Sequence, residues 1–423
     1  MPLPHIAPLR IVIAGGGVGA LEALMALHDL GEQQLRLTVV APDDEFVLRA
    51  MSVAVPFSAG HVTRVPLDEI CASFGARRVR AAVASVDAEQ RTVTCHDGTL
   101  LDYDVLVLAT GAAARPAYRA ALTFCDGDPE RLTGLLRDIE QGYCASVALV
   151  VPPAGSWALP VYELALLLAR YARGVSADDL EIHLVTPEPA PLAVFGAEAS
   201  DAVARLLDDA GVQVHTGSYA AVQRGGRITL APGDRRLHVA RVVALPVIEG
   251  RPIAGVPADD HGFIPVDDHC RVIGLEDVYA VGDGADFPVK QGGLATQQAD
   301  VAARDIAAGA GAPVVAEAFR PVLRGMLLTG GEPRFLRHVV TPNGDPRAPQ
   351  VSTDRLWWPP AKVVGHYLAP WLAARAEELR SDVDAGPPEG ALAVEAEIAV
   401  DRDAQPLSLS PLGPLARGPH GRW

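Results

Sequence analysis

The sequence predicts an α/β protein in which two doubly wound βαβ units share one chain and a small cap closes the C-terminal end. Three observations carry this prediction. RIVIAGGGVGALEALMALHDL (Arg10–Leu30) reads as an apolar strand, a glycine turn and a long helix, and LRLTVVAPDDEF supplies the next strand. The order strand, loop, helix, strand returns from SVALVV (Ser146–Val151) to LEIHLVTPEP (Leu180–Pro189), a repeat of topology with little sequence identity. Two more apolar strands end in small residues, Ala109-Thr110-Gly111 and Gly282-Asp283, where a ligand can approach the backbone closely.

Composition sets the outer bounds. A chain of 423 residues is too long for one ordinary core. Its net charge of −16 argues against nucleic acid and against electrostatic docking on an anionic bilayer. Of 36 basic residues only Lys290 and Lys362 are lysines, so each is a candidate for work that a compact ammonium does and a guanidinium does not. The five cysteines, Cys71, Cys95, Cys125, Cys144 and Cys270, form neither a CxxC nor a zinc pattern. MPLPHIAPLR lacks the charged and apolar regions of a signal peptide, so the expected setting is the reducing cytoplasm. The apolar run Val147–Ala169 is divided by Pro152, Pro153 and Pro160 into pieces too short to span a membrane.

Each element follows in order. After the opening βαβ, polar turns at Asp87–Arg91 and His96–Leu100 separate strands that end in YDVLVLATGA. A helical connection over Ala117–Gly142 leads to SVALVV, a proline-bearing loop and YELALLLARYARG. A helix at Ala197–Ala210, the strand VQVHTG and the strands of RITLAPGDRRLHVARVVAL complete the second unit. The chain then returns to the first unit through GFIPVDDHC, VYAVGDGADFP and a long helix starting near Leu294. A hairpin is expected to turn at Gly330–Gly331, and a C-terminal helix to begin at Pro359–Pro360 with Val363, Val364, Tyr367, Leu368, Trp371 and Leu372 as its apolar stripe. That stripe suits packing on the protein's own core or on a partner subunit, as in a homodimer, better than a membrane surface, because its polar face mixes Arg375, Glu377, Glu378 and Arg380. The expected division is 9–116 and 251–315 for the first unit, 117–250 for the second, 316–380 for the hairpin and helix, and 381–423 for a loosely attached tail.

The chemistry sits in the turns. Gly15-Gly16-Gly17-Val18-Gly19-Ala20 fits G-x-G-x-x-A between strand and helix. Gly15 allows the tight turn and Gly17 lets a pyrophosphate approach the backbone, while Ala20 keeps helix and sheet close. The N–H groups and positive dipole end of the helix face the phosphates. The acid that ordinarily ends the second strand is replaced by Ala41; Asp43, two residues later, either reaches the ribose hydroxyls or caps the next turn. Asp283 can accept hydrogen bonds from a ribityl chain.

On these motifs the sequence resembles the FAD-dependent pyridine nucleotide-disulfide oxidoreductase superfamily over about residues 9 to 330. It is most similar to the branch holding sulfide:quinone oxidoreductase and flavocytochrome c sulfide dehydrogenase, with type II NADH dehydrogenases close by. The resemblance implies two Rossmann-like FAD/NAD(P)-binding domains in a glutathione-reductase-like arrangement. It also implies electron transfer through FAD to an acceptor such as a quinone. Gly15, Gly17, Gly19, Ala20, Asp43, Thr110, Gly111, Gly282 and Asp283 are then expected at the FAD. Lys290-Gln291-Gly292-Gly293 and Thr296-Gln297-Gln298 are expected beside the isoalloxazine, with Lys290 and Trp157 as candidate catalytic residues.

The sequence departs from that pattern at the donor side. The second loop, Pro152 to Pro160, has one glycine, and proline has no N–H to offer a phosphate, so NAD(P)H use is not expected. Glu188 would favour NADH over NADPH if either bound. Val242–Gly250 carries Ala-Leu-Pro where NAD-binding relatives more often have ATG. The flavin-side cysteines of sulfide oxidation are missing too, leaving Cys125 and Cys144 as the candidates, although isolated cysteines are more often small buried hydrophobes. Three readings follow: an FAD oxidoreductase with an unidentified small donor, an NADH:acceptor oxidoreductase with an atypical loop, or an FAD-binding protein with little catalysis. A metal at His261, Asp267, Asp268, His269 and Cys270 is not expected, since strand alternation scatters these residues over two faces.

Overall fold

The computed structural model describes residues 8–31, 35–124, 130–153, 157–330, 335–339, 347–352, 357, 361–380 and 391–397. The chain opens with β1 (Leu9–Ala14), α1 (Val18–Gly31) and β2 (Leu35–Val40). The short pair β3 (Glu45–Leu48) and β4 (Thr63–Pro66) brackets a 3-10 segment, Arg49–Phe57, and α2 (Leu67–Ser73) and β5 (Arg77–Val79) follow. A meander of β6 (Val83–Asp87), β7 (Thr92–Cys95) and β8 (Leu100–Asp102) leads into the fully buried β9 (Val105–Leu108). β10 (Ala113–Arg115) and β11 (Leu122–Thr123) cross to the second unit: α3 (Glu130–Glu140), β12 (Ser146–Val150), α4 (Leu159–Gly174), β13 (Glu181–Val185), α5 (Ala197–Asp209) and β14 (Val212–His215). Its own meander is β15 (Tyr219–Gln223), β16 (Arg227–Ala231) and β17 (Arg235–His238), followed by β18 (Arg241–Ala244) and β19 (Val247–Glu249). The return passes through β20 (Val278–Ala280) and α6 (Gly292–Gly309) to β21 (Val322–Leu328), β22 (Phe335–Val339), β23 (Arg347–Ser352), α7 (Leu368–Arg380) and β24 (Ala391–Glu397).

The repeat read in the sequence is a repeat of architecture. One parallel sheet runs β20-β9-β1-β2-β5 and the other β11-β18-β12-β13-β14, so β1 and β12 hold the same central place. Both strands are apolar throughout their inner residues because helices or meanders cover both faces. On one face of the first sheet α1 lies against α6, packing Leu21, Leu24 and Leu27 near Ala299, Ala302 and Ile306. The meander covers the other face around Val86, Val93 and Tyr103. In the second sheet Leu164, Leu167, Leu184 and Val203 fill the layer under α4 and α5.

The C-terminal region departs from expectation in three ways. β21 and β22 do not form a hairpin: β24 lies between them in the order β21-β24-β22-β23. Part of the expected loose tail, Ala391–Glu397, is therefore a strand, and the rest of 381–423 lies outside the described residues. The last helix starts at Leu368, not at Pro359–Pro360. The physical reason is the buried Glu22 carboxylate on α1, which accepts the N–H groups of Tyr367 and Leu368 (2.8 Å each) and fixes the helix start there. Val363 and Val364 precede the helix, whereas Tyr367, Leu368, Trp371 and Leu372 do pack on the first unit's core. No helix among the described residues is long and apolar enough to cross a membrane.

Candidate functional site

A cleft of about 1260 Å³ runs from the β1–α1 turn to the start of α4. Gly15 holds φ at +138° and donates its N–H to the Val40 carbonyl (2.8 Å), which places the turn across the ends of β1 and β2. A Cβ at Gly15 would collide with the carbonyl of Ala109, whereas one at Gly17 would meet nothing within 4 Å. Gly17 therefore faces the open cleft beside the first turn of α1, whose N–H groups have no partners within the helix. Gly19 packs α1 against Val281 as well as lining the cleft, and Ala20 is buried in the core behind it.

The other predicted contacts converge here. Thr110 and Gly111 line the cleft at the end of β9, and Gly282 and Asp283 line it after β20. The two loops are tied by Val281 N–H to the Leu108 carbonyl (2.9 Å), and Gly282 N–H reaches Gln298 Oε1 (2.8 Å). Asp43 is exposed at the far end of the cleft. Its carbonyl accepts from Arg78, and Arg80 holds the neighbouring Asp44. Lys290 also lines the cleft; its Nζ donates to the Ala285 carbonyl (2.6 Å) and sits 3.7 Å over the Phe263 ring. Burial lowers the Lys290 pKa to about 8 against the opposing pull of Asp283, Asp286 and Asp259.

Gln297 does not reach the site. α6 begins at Gly292, capped by the Gln291 side chain on Leu294 N–H (2.9 Å), and Gln297 points to β21, bonding both backbone groups of Val322 at 2.8 Å. Thr296 bonds the Gly293 and Val364 carbonyls. Lys290, Gln291, Gly292 and Ala295 are the residues of that segment that line the cleft. Cys144 is buried in the second unit, its thiol on the Ser146 carbonyl (3.5 Å) and its pKa raised by burial, and it does not line the cleft. Cys125 lies outside the described residues.

At the start of α4, Trp157, Leu159 and Pro160 line the cleft. The indole packs edge-on against Phe195 with ring centroids 5.7 Å apart, and Pro160 occupies the first turn of α4. Glu188 is engaged inside the second unit, accepting from Tyr162 Oη (2.6 Å) and Thr186 Oγ1 (2.9 Å), and burial raises its pKa. Asp267 spends a carboxylate oxygen on the N–H groups of His269 and Arg271, as turn-forming aspartates do, although Asp267, Asp268 and His269 lie close together.

One pair escaped the sequence reading. Glu163, fully buried on α4, accepts from Lys362 Nζ (2.7 Å) and from Leu328 N–H (2.9 Å); Lys362 also donates to the Ala50 carbonyl (3.0 Å). Both residues line the cleft. Two signals were available: Glu163 is the only charge in Val147–Ala169, and Lys362 is one of two lysines in the chain.

Comparison with known proteins agrees with this geometry. Residues 9–305 match the pyridine nucleotide-disulphide oxidoreductase family. An NADH dehydrogenase-like protein of Mycobacterium tuberculosis is 31% identical over 300 residues, covering 65% of this chain and 72% of the relative. The sulfide-quinone reductase of Aquifex aeolicus is 26% identical over 210 residues, 47% of this chain and 48% of that one. Its sulfide:quinone oxidoreductase structure superposes with a TM-score of 0.63 at 18% identity, over 70% of this chain and 76% of that chain. NDH2 of Plasmodium falciparum, solved with NADH, superposes at 0.54 and 16% identity, over 66% and 64%. With a match across most of its length and two halves built on one plan, the chain belongs to the pyridine nucleotide-disulphide oxidoreductase family and is an FAD-dependent oxidoreductase.

Proposed function

We propose that the protein passes an electron pair from a small, non-nucleotide donor, through FAD held by the first unit, to an acceptor of the quinone class. The observation that carries this reading is the β12–α4 connection. It stands where β1–α1 stands in the first unit, its described residues present an indole and a proline to the cleft, and its sequence from Pro152 to Pro160 has one glycine. The acid at the end of β13, Glu188, is held by Tyr162 and Thr186.

The residues fit FAD. A cleft of about 1260 Å³ exceeds the roughly 300–1,000 Å³ of ordinary small-ligand sites, and Gly17 leaves open the space a Cβ would fill. Gly15, Gly17 and the start of α1 would hold the pyrophosphate and Asp43 the adenosine ribose. Thr110, Gly111, Gly282 and Asp283 would hold the ribityl chain, with Lys290 and the start of α6 at the ring. Bound FAD supplies reversible two-electron chemistry. Lys290 offers positive charge beside it below about pH 8. Trp157 walls the donor side against water. Lys362 Nζ donates to Glu163 and to the Ala50 carbonyl at the cleft wall, and a quinone that gains two electrons also requires protons.

NADH as donor has one observation in its favour, the 31% identical NADH dehydrogenase-like relative. Anaerobic titration of the flavoprotein with NADH, NADPH and sulfide separates the readings. We expect slow or no bleaching by the nucleotides and by sulfide, and rapid reoxidation of photoreduced enzyme by a soluble quinone. Stoichiometric bleaching by NADH would overturn the non-nucleotide donor. Failure of every acceptor would leave a flavin-binding protein with little catalysis.

A further inference from the structure

The segment 361–376 joins the cleft to the opposite side of α1 and α6. Lys362 and Val363 stand in the cleft wall. Val364 is held through its carbonyl by Thr296 Oγ1 (2.7 Å), and the N–H groups of Tyr367 and Leu368 end on the two oxygens of Glu22. Beyond them Trp371 packs against Phe74, with centroids 6.1 Å apart, and Arg375 pairs with Glu69. Glu22 is fully buried, and beside it on α6 lies the half-buried Asp300, whose Oδ1 is shielded from solvent with no hydrogen-bond partner among the described residues.

We propose that Glu22 and Asp300 are positioning residues for the reaction at the cleft: a buried carboxyl–carboxylate pair that fastens this strap and thereby sets Lys362 and Val363 in the cleft wall. Their effect on turnover rests on the function proposed above; the fastening does not.

Burial and the neighbouring Glu22 charge both raise the Asp300 carboxyl, and burial raises Glu22, so the pair retains a proton. Glu22 is the ionised member, because its oxygens accept backbone N–H groups, and Asp300 is the acid. Burial and the Glu22 charge raise the Asp300 carboxyl to about pH 8, with Arg304 pulling the other way; burial also raises Glu22, opposed by the N–H groups of 366–368 and the His366 ring. Tyr367 Oη donates to Asp29 (3.2 Å) on the same helix as Glu22. On this proposal, release of the strap, whose Tyr367 lies near Asp300, must move that carboxyl toward the ordinary aspartate range. The docked form therefore binds the extra proton between the ordinary carboxylate range and about pH 8. Docking is strongest below that range, weakens as pH rises through it, and levels off once Asp300 ionises in place.

The test uses the full flavoprotein, with the fluorescence of Trp371 (isolated by subtracting Trp371→Phe) followed from pH 6.5 to 9.5. Reoxidation of photoreduced enzyme by a soluble quinone is followed in parallel. We expect wild type to lose the packed Trp371 signal as pH rises, Asp300→Asn to keep it throughout, and Glu22→Gln to lack it at every pH. Reoxidation should slow with the signal in wild type and stay level in Asp300→Asn. A wild-type pH profile in Asp300→Asn, or a packed strap in Glu22→Gln, overturns the fastening. A fluorescence change without any change in reoxidation overturns the positioning role at the cleft.

Discussion

Glu163→Leu will lower stability by about 3–5 kcal/mol, the range for removing one member of a buried ion pair. Adding Lys362→Met to that variant will recover part of the loss. Both side chains are nearly inaccessible, Lys362 at 7% and Glu163 at 0% exposure, so water cannot replace the lost carboxylate around the ammonium. The single variant also strips Leu328 N–H of its acceptor, a cost of about 1–3 kcal/mol that persists in the double variant. The difference between the two variants therefore reads the relief of the unpaired charge less the hydrogen bond that Lys362 gives the Ala50 carbonyl. Glu163→Gln keeps an acceptor for Leu328 and should fall between wild type and Glu163→Leu. Urea unfolding midpoints at constant flavin saturation measure all three. If the double variant is no more stable than Glu163→Leu, the pair is not what holds α4, β21 and the strap together.

What could be read in the sequence was whatever is encoded locally. The glycine turn at Gly15–Gly19, the ATG and GD strand ends and the apolar parallel strands each carry their reason within about ten residues, and the structure gathers them around one cleft. What could not be read depends on partners far along the chain. Glu163 meets Lys362 across 199 residues, and Glu22 meets Tyr367 across 345. The helical stripe through Val363 and Val364 had the right period, but a carboxylate on α1 claims the N–H groups that start α7. Gln297 failed for a related reason. Its angular position on α6 turns its amide to Val322, whereas Gln291 lines the cleft. β24 is the clearest case, since no local signal tells a short apolar stretch to insert between β21 and β22.

Gly15 and Gly17 will respond in opposite ways to substitution, although both belong to one motif. Gly15→Ala will destabilise the first unit whether or not FAD is present. Its backbone sits at φ +138°, and the new Cβ would press on the Ala109 carbonyl, at the crossing of β1 and β9. Strain of this kind costs about 1–3 kcal/mol, and overpacking adds about 1–3 kcal/mol more. Gly17→Val will leave the apo fold within about 0.5 kcal/mol of wild type, because a Cβ there meets nothing within 4 Å. The same open space is where a pyrophosphate would lie against the backbone. We therefore expect Gly17→Val to weaken FAD binding at least about 100-fold, equivalent to about 2.8 kcal/mol, and to purify colourless with an unchanged apo melting temperature. Flavin quenching titrations on stripped protein, paired with apo melting curves, read both effects. The protein's own packing explains the glycine at 15; at position 17 the proposed constraint is the ligand. Wild-type FAD affinity in Gly17→Val would show that the phosphates lie away from this turn and that the cleft holds its cofactor in another orientation.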